Sequence, residues 1–266
     1  MGDKIVKSNA LVQAGYRLSV MEQRIILNCV AQVDSRDEVT DEVMYAVRVS
    51  DISNSVDSYS EVKEAALRLK RREVTFEVGP NGRRKPRKRI TGWVQSIEYD
   101  DGQGSVQLRF SKDILPFLSQ ITSHFTTYDL KYVSSMTSSY GVRIYELIAQ
   151  HRKLGKREIE IGWLREKFGI EGNTYARFND LRRFVIEPAL KDINTHSDLK
   201  VKCEYKKTGR KTTHIVLTFT EKKPKVVKEY TEQSITPVKR KTKPRLVDHL
   251  IDAHMAQLKS TKLSAQ

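Results

Sequence analysis

The sequence is poor in the residues that build covalently braced, metal-held or membrane-spanning proteins. Of 266 residues only two are cysteines, Cys29 and Cys203, with no CxxC pair and no histidine at ligand spacing. This argues against a disulfide scaffold and a zinc site, and the two thiols read as buried or half-buried side chains. Apolar runs are short, Ile25-Ile26-Leu27 being typical, whereas a bilayer span needs about 20 residues. No apolar h-region follows Met1, so no signal peptide is expected. His124, His151, His196, His214, His249 and His254 are scattered, and GxxxxGK[ST] and GxSxG are absent. The carboxylate pairs Asp100-Asp101 and Asp34/Asp37/Glu38 fall in turns, where solubility explains them. Neither an enzyme nor a cofactor is expected.

What the chain has is positive charge. Lys and Arg number 48 against 33 Asp and Glu, a net +15, which favours a polyanionic partner. Residues 1–130 hold 19 cations and 18 acids, residues 131–222 hold 19 and 11, and residues 223–266 hold 10 and 4. The polyanion-binding duty is therefore assigned mostly to the second half. The 38% of hydrophobic residues suffices for two small cores.

The patterning gives two rounds of one element order. In the first, Ser19 and Glu22 have capping-box spacing, and Leu18, Met21, Ile25, Cys29 and Val33 mark one helical face. Leu11, Leu18 and Ile25 also fall seven apart, but Gly15 and Gln32 break the register, so a core-facing helix is preferred to a coiled coil. A strand over 44–49, a short helix capped by Ser50-Asp51, a longer helix over 58–72, a strand over 74–78, a turn at Gly79-Pro80-Asn81-Gly82 and a hairpin over 93–110 follow. In the second round, a helix over 140–152, a strand over 158–161, a short helix over 163–168 ending at Gly169, a long helix over 175–195 and a hairpin over 199–219 repeat the order. Short helix, turn, second helix and hairpin make a winged helix-turn-helix. The fold class is α+β: tandem winged-helix domains, two pseudo-repeats, with a basic C-terminal tail. The domains are read as 1–130, 131–222 and a mostly flexible 223–266, whose Lys/Pro composition offers little to bury. Within the tail, Arg245 to Leu258 has an apolar helical face, read as free tail or as a partner-binding helix.

The candidate chemistry is nucleic-acid recognition. Arg177, Asn179, Arg182 and Arg183 cluster near the start of the second long helix, where a recognition helix presents residues to base edges. The Arg fork matches guanine O6 and N7, and Asn matches adenine N6 and N7. Pro188 removes one donor and is expected to bend or loosen this helix. The hairpin tip carries Lys206, Lys207, Arg210 and Lys211, suited to phosphates. Arg83, Arg84, Arg87 and Lys88 belong to the densest cationic run, Arg83 to Arg89, which reads as a phosphate-tracking arm, a nuclear-type signal or a solvated loop.

Several stretches together resemble the iteron-plasmid replication initiators, the Rep proteins of theta-replicating bacterial plasmids. They are Ile5-Val6-Lys7-Ser8-Asn9-Ala10-Leu11 with Tyr16-Arg17-Leu18-Ser19, Phe125-Thr126-Thr127-Tyr128, Ser139-Tyr140 through Arg143-Ile144-Tyr145-Glu146-Leu147, and Phe178 through Asn194, with Asp180-Leu181-Arg182-Arg183 the most specific. Gly209-Arg210-Lys211 with Thr213-His214-Ile215 fits the final hairpin. The resemblance implies monomers that bind directly repeated iterons in double-stranded origin DNA, and dimers, joined through the N-terminal domain, that bind an operator inverted repeat and repress their own gene. It makes Arg182 and Arg183 base or phosphate readers and the four hairpin cations wing contacts. It also implies a host initiator, helicase and chaperones as partners, a bacterial cytoplasmic location on plasmid DNA, and no membrane.

The expected function is thus a non-enzymatic replication initiator and autorepressor; the alternative is a winged-helix transcription regulator without origin function. An RNA-binding reading would need exposed aromatic platforms, while the 11 Tyr and 8 Phe fall largely at core-periodic positions. The self-association surface is placed in 1–130, on the apolar face of the helix over 18–33.

Overall fold

The computed structural model describes residues 4–53, 58–79, 87–100 and 102–222, all within one compact unit. The expected turn residues at 80–82, the cations Arg83 and Arg84, and the tail 223–266 with its Arg245–Leu258 segment lie outside the described residues.

The chain enters through β1 (Lys4–Ser8), and the Ser8 hydroxyl accepts from the Leu11 amide to start α1 (Asn9–Gln13). The expected capping box is present. Ser19 Oγ accepts from the Glu22 amide, and Glu22 Oε2 accepts from the Ser19 amide at 2.6 Å, opening α2 (Val20–Val30). There follow β2 (Tyr45–Arg48), α3 (Val49–Ile52), α4 (Ser58–Leu69), β3 (Glu73–Val78), β4 (Arg87–Gly92), β5 (Val94–Asp100) and β6 (Ser105–Phe110). After β7 (Phe125–Asp129) and α5 (Lys131–Ser134) comes the second round: α6 (Ser139–Ala149), β8 (Lys156–Glu160), α7 (Ile161–Lys167), α8 (Phe178–Leu181), α9 (Glu187–His196), β9 (Leu199–Thr208) and β10 (Lys211–Glu221).

The two rounds share a sheet as well as an order. The sheets run β2-β6-β5 and β8-β10-β9, so in each lobe the strand ahead of the helix pair bonds the last strand of the hairpin. This is a tandem winged-helix fold.

Three local expectations are corrected, and one strand pair is added. The helix α3 starts at Val49 behind Arg48, not behind Ser50-Asp51, because the preceding strand runs straight into it. The residues Arg87 to Arg89 are not a loop: they form half of β4, paired antiparallel to β3 from Glu73↔Gly92 to Val78↔Arg87. The opening residues, whose pattern is mixed, pair as β1 with β7. The apolar face of α2 is turned to the core and not to solvent: Leu18, Ile25 and Cys29 are buried, and Met21 and Val33 are half-buried against them.

The lobes are joined by a polar centre. Glu146 on α6 is fully buried, and its Oε1 accepts from Lys7 Nζ at 2.6 Å and from the Tyr128 hydroxyl at 2.5 Å. Its Oε2 accepts from the Tyr16 hydroxyl at 3.2 Å and lies 3.7 Å from the Arg143 guanidinium. Arg143, also buried, donates to the carbonyls of Val12, Ala14 and Lys167 and stacks on the Tyr16 ring at 3.5 Å. Beside it, Gly15 and Thr75 exchange backbone hydrogen bonds at 2.8 Å. Lys88 Nζ meets Glu166 Oε1 at 2.9 Å, and Lys167 meets Glu77. At the other end of α6, Asp192 of α9 accepts from the Thr137 and Ser138 amides. Gly141 lets α9 come this close, because a Cβ there would lie 3.3 Å from Asp192.

Removing Glu146 would leave two buried cations without their acid. Glu146→Ala is expected to cost about 3–5 kcal/mol in denaturant unfolding at neutral pH. Burial alone would raise the Glu146 carboxyl, but Lys7, Arg143 and the hydrogen bonds from Lys7 and Tyr128 outweigh it and hold the group below the ordinary glutamate range. A carboxyl depressed by folding contributes stability above its unfolded value, about 4.3, and that stability is lost as pH falls through the lower folded value. Unfolding free energy should therefore decline below about pH 4.3, and the decline should be shallower in Glu146→Gln, measured by urea titration across pH.

Candidate nucleic-acid interface

The second lobe's helix pair is set by one arginine. Arg165 on α7 donates to the carbonyls of Tyr175 at 2.9 Å, Thr174 at 2.7 Å and Gly172 at 3.4 Å. Tyr175 adopts φ +51, and Arg177 is extended, at φ −78 and ψ 138. The next helix therefore begins at Phe178 and not at 175 as its periodicity predicts. The carbonyls that would start a turn at 175 are engaged by Arg165. Arg177 is consequently the residue before the helix rather than part of its face, though its side chain is exposed.

Pro188 acts as expected, and the structure gives the form. With no N–H at Pro188, the Phe184 carbonyl has no donor four residues on. The chain widens into a π-helical turn over Arg182–Ile186, where the Glu187 amide donates to the Arg182 carbonyl. Leu181, Val185 and Ile186 point into the core. Asn179 and Arg183 are exposed, while Arg182 is half-buried and lies 3.3 Å from Glu187.

The wing is built for an exposed cationic tip. Thr208 pairs with Lys211 across Gly209-Arg210. Positive φ occurs at Gly209, +60, and not at Arg210, the II′ pattern in which glycine takes the first central position. Lys206, Lys207, Arg210 and Lys211 are all exposed, and Lys206 is paired with Glu158 at 2.9 Å. The Lys206 hydrogen bond holds the Glu158 carboxyl below its usual range. The wing and the helix start are tied together by the edge-to-face pair Phe178–Tyr205, ring centroids 5.2 Å apart. Burial pushes the Tyr205 hydroxyl up to about 12, so it stays neutral.

The structure thus brings Asn179, Arg182, Arg183 and the wing cations onto neighbouring elements of one lobe. It sets Arg87 and Lys88 apart, on β4, where Lys88 is committed to Glu166. Next to that pair, a cleft of about 550 Å³ is lined by the cations Arg17, Arg71, Arg72, Lys88 and Lys167 and by the acids Glu73, Glu77, Glu166 and Glu171, so its charges nearly balance. Arg165 was missed in the sequence; the Gly169, Gly172 and Asn173 breakers were the available sign of a structured turn needing an anchor. Among the described residues no His, Cys, Asp or Glu cluster could hold a metal, and no helix is long and apolar enough to cross a membrane.

Comparisons with known proteins bear on the fold and the family. Residues 4–149 match the family model "Initiator Replication protein, WH1", and residues 160–219 match "Initiator Rep protein, WH2". A replication initiation protein of Escherichia coli is 30% identical over 227 residues, covering 80% of this chain and 68% of the relative. An uncharacterised 27.6 kDa protein of the same organism is 25% identical over 224 residues, covering 78% and 91%. The fold is similar to that of the Pi initiator protein crystallised with iteron DNA, with a TM-score of 0.68 at 20% identity, covering 84% of this chain and 98% of that one.

Arg165→Ala should release the three carbonyls and loosen the turn without unfolding the lobe. Its expected mark is faster amide exchange confined to residues 171–178, with a stability loss of about 1–2 kcal/mol, since a partly exposed charged donor is lost.

Proposed function

Because the chain belongs to the initiator replication protein family and carries its WH1 and WH2 domains in order, we propose that it binds directly repeated origin sequences as a monomer and represses its own gene as a dimer on an inverted repeat. The general role, replication initiation, follows from the membership and from the Escherichia coli relative. The observation that carries the finer reading is the second lobe's surface: Asn179 and Arg183 exposed on the helix, beside an exposed wing of Lys207, Arg210 and Lys211. Charge supports the division of labour, with net +8 in 131–222 against +1 in 1–130.

In this reading Asn179 and Arg183 reach base edges in the major groove, and Arg182 is oriented by Glu187 toward the same groove wall. Arg177 and the wing residues Lys206, Lys207, Arg210 and Lys211 take phosphates. The first lobe, 1–130, supplies secondary DNA contacts and the dimer surface. Its exposed Arg87 contributes to the former, and Lys88 does so by leaving Glu166. Host initiator, helicase and chaperones are the proposed protein partners, met on plasmid DNA in the bacterial cytoplasm.

Binding of the full chain to a random-sequence DNA pool, with sequencing of the retained fraction, tests this directly. Arg183→Ala should cost about 1–3 kcal/mol at one base position and relax choice there; an equal loss on all sequences would make it a phosphate contact. Lys207→Ala should weaken every sequence alike and reduce the slope of log affinity against log salt by about one.

A further inference from the structure

Large apolar side chains exposed among the described residues include Phe184, 51% accessible, and it shares its helix with Asn179 and Arg183. Its neighbours Val185 and Ile186 are spent on the core, whereas Phe184 stands on the outer face, one position from Arg183. An apolar ring on a surface otherwise made of cations and amides contributes little to folding.

The ring is also held in place. Tyr175 stacks on it, with centroids 5.8 Å apart and planes 23° from parallel. Tyr175 in turn sits at φ +51, a conformation uncommon for a bulky residue, and its own carbonyl is one of those gripped by Arg165. The Arg183 guanidinium lies 5.3 Å from the centre of the Phe184 ring. Strained backbone persists where the surroundings over-determine it, and what is over-determined here is the outward pose of an aromatic pair.

The major groove offers one apolar feature at the base edges, the C5-methyl group of thymine. Cations recognise the phosphates of any duplex, and amide or guanidinium forks recognise purines. A fixed aromatic edge complements the remaining element of the code. We infer that Phe184, braced by Tyr175, is a specificity-determining residue that packs against a thymine methyl next to the base contacted by Arg183. This rests on the DNA-reading function proposed above.

The test uses the full chain and the motif that it retains from a random pool. Each thymine of the motif is replaced singly by deoxyuridine, which lacks only the methyl. In the wild type one such replacement should weaken binding about fourfold, the worth of one methyl withdrawn from water. Phe184→Leu should keep most of the affinity and the same penalty. Phe184→Ala, folded by circular dichroism, should lose on the order of tenfold and no longer distinguish thymine from deoxyuridine, with its salt dependence unchanged. The inference is overturned if the motif lacks thymine, if every deoxyuridine site binds as tightly as its parent, or if Phe184→Ala keeps the wild-type penalty. A wild-type chain that retains no motif at all overturns the DNA-reading function itself, a separate outcome.

Discussion

The Glu146 carboxylate lies where three distant stretches of chain meet, and each brings it a donor: Lys7 from β1, Tyr16 from the loop before α2, and Tyr128 from β7. A charge in that position is tolerable only when all of them arrive, because an ion in a dry interior is costly unless paired and hydrogen-bonded. The same helix turn carries Arg143, which reaches the Lys167 carbonyl at the end of α7. The helix-turn-helix of the second lobe is therefore referenced to the opening residues of the first. The second lobe's helix pair and the opening strand share one anchor.

Much of the local structure could be read from the sequence because its signals are short-range. The Ser19–Glu22 box, the Gly209 turn and the effect of Pro188 each depend on residues within a few positions of one another. What could not be read depends on pairings across the chain. The β1–β7 ladder joins residues more than 110 positions apart. The strand β4 begins inside a cationic run whose composition suggests a solvated loop, and only its ladder with β3 reveals it. The helix start at Phe178 is decided by a guanidinium on another element, which no periodicity encodes. The stretches that carry the family resemblance around Lys7, Tyr16, Tyr128 and Glu146 proved to be the ones that converge on the buried carboxylate.

The two lobes show how one topology is differentiated by charge. In the first, the β5–β6 turn is organised by Asp100, whose carboxylate accepts from the Gly102 and Gln103 amides. In the second, the equivalent β9–β10 turn is organised by glycine alone, which leaves its long side chains to solvent. A carboxylate-capped turn repels a phosphate backbone, and a glycine turn bordered by lysines invites it. The same hairpin thus ends in a carboxylate in one lobe and in exposed cations in the other.

Glu77 and Lys88 stand directly opposite each other on β3 and β4, and they meet Lys167 and Glu166, which are adjacent on the chain. The four charges form a checkerboard, each facing its opposite in two directions. Such an arrangement has almost no field at a distance. Up close it acts as a parity check. A one-residue slip of the hairpin, which turns every strand side chain to the other face, would break both pairs at once. The lobes are thereby admitted to one alignment by a device that is electrostatically silent to everything else in solution.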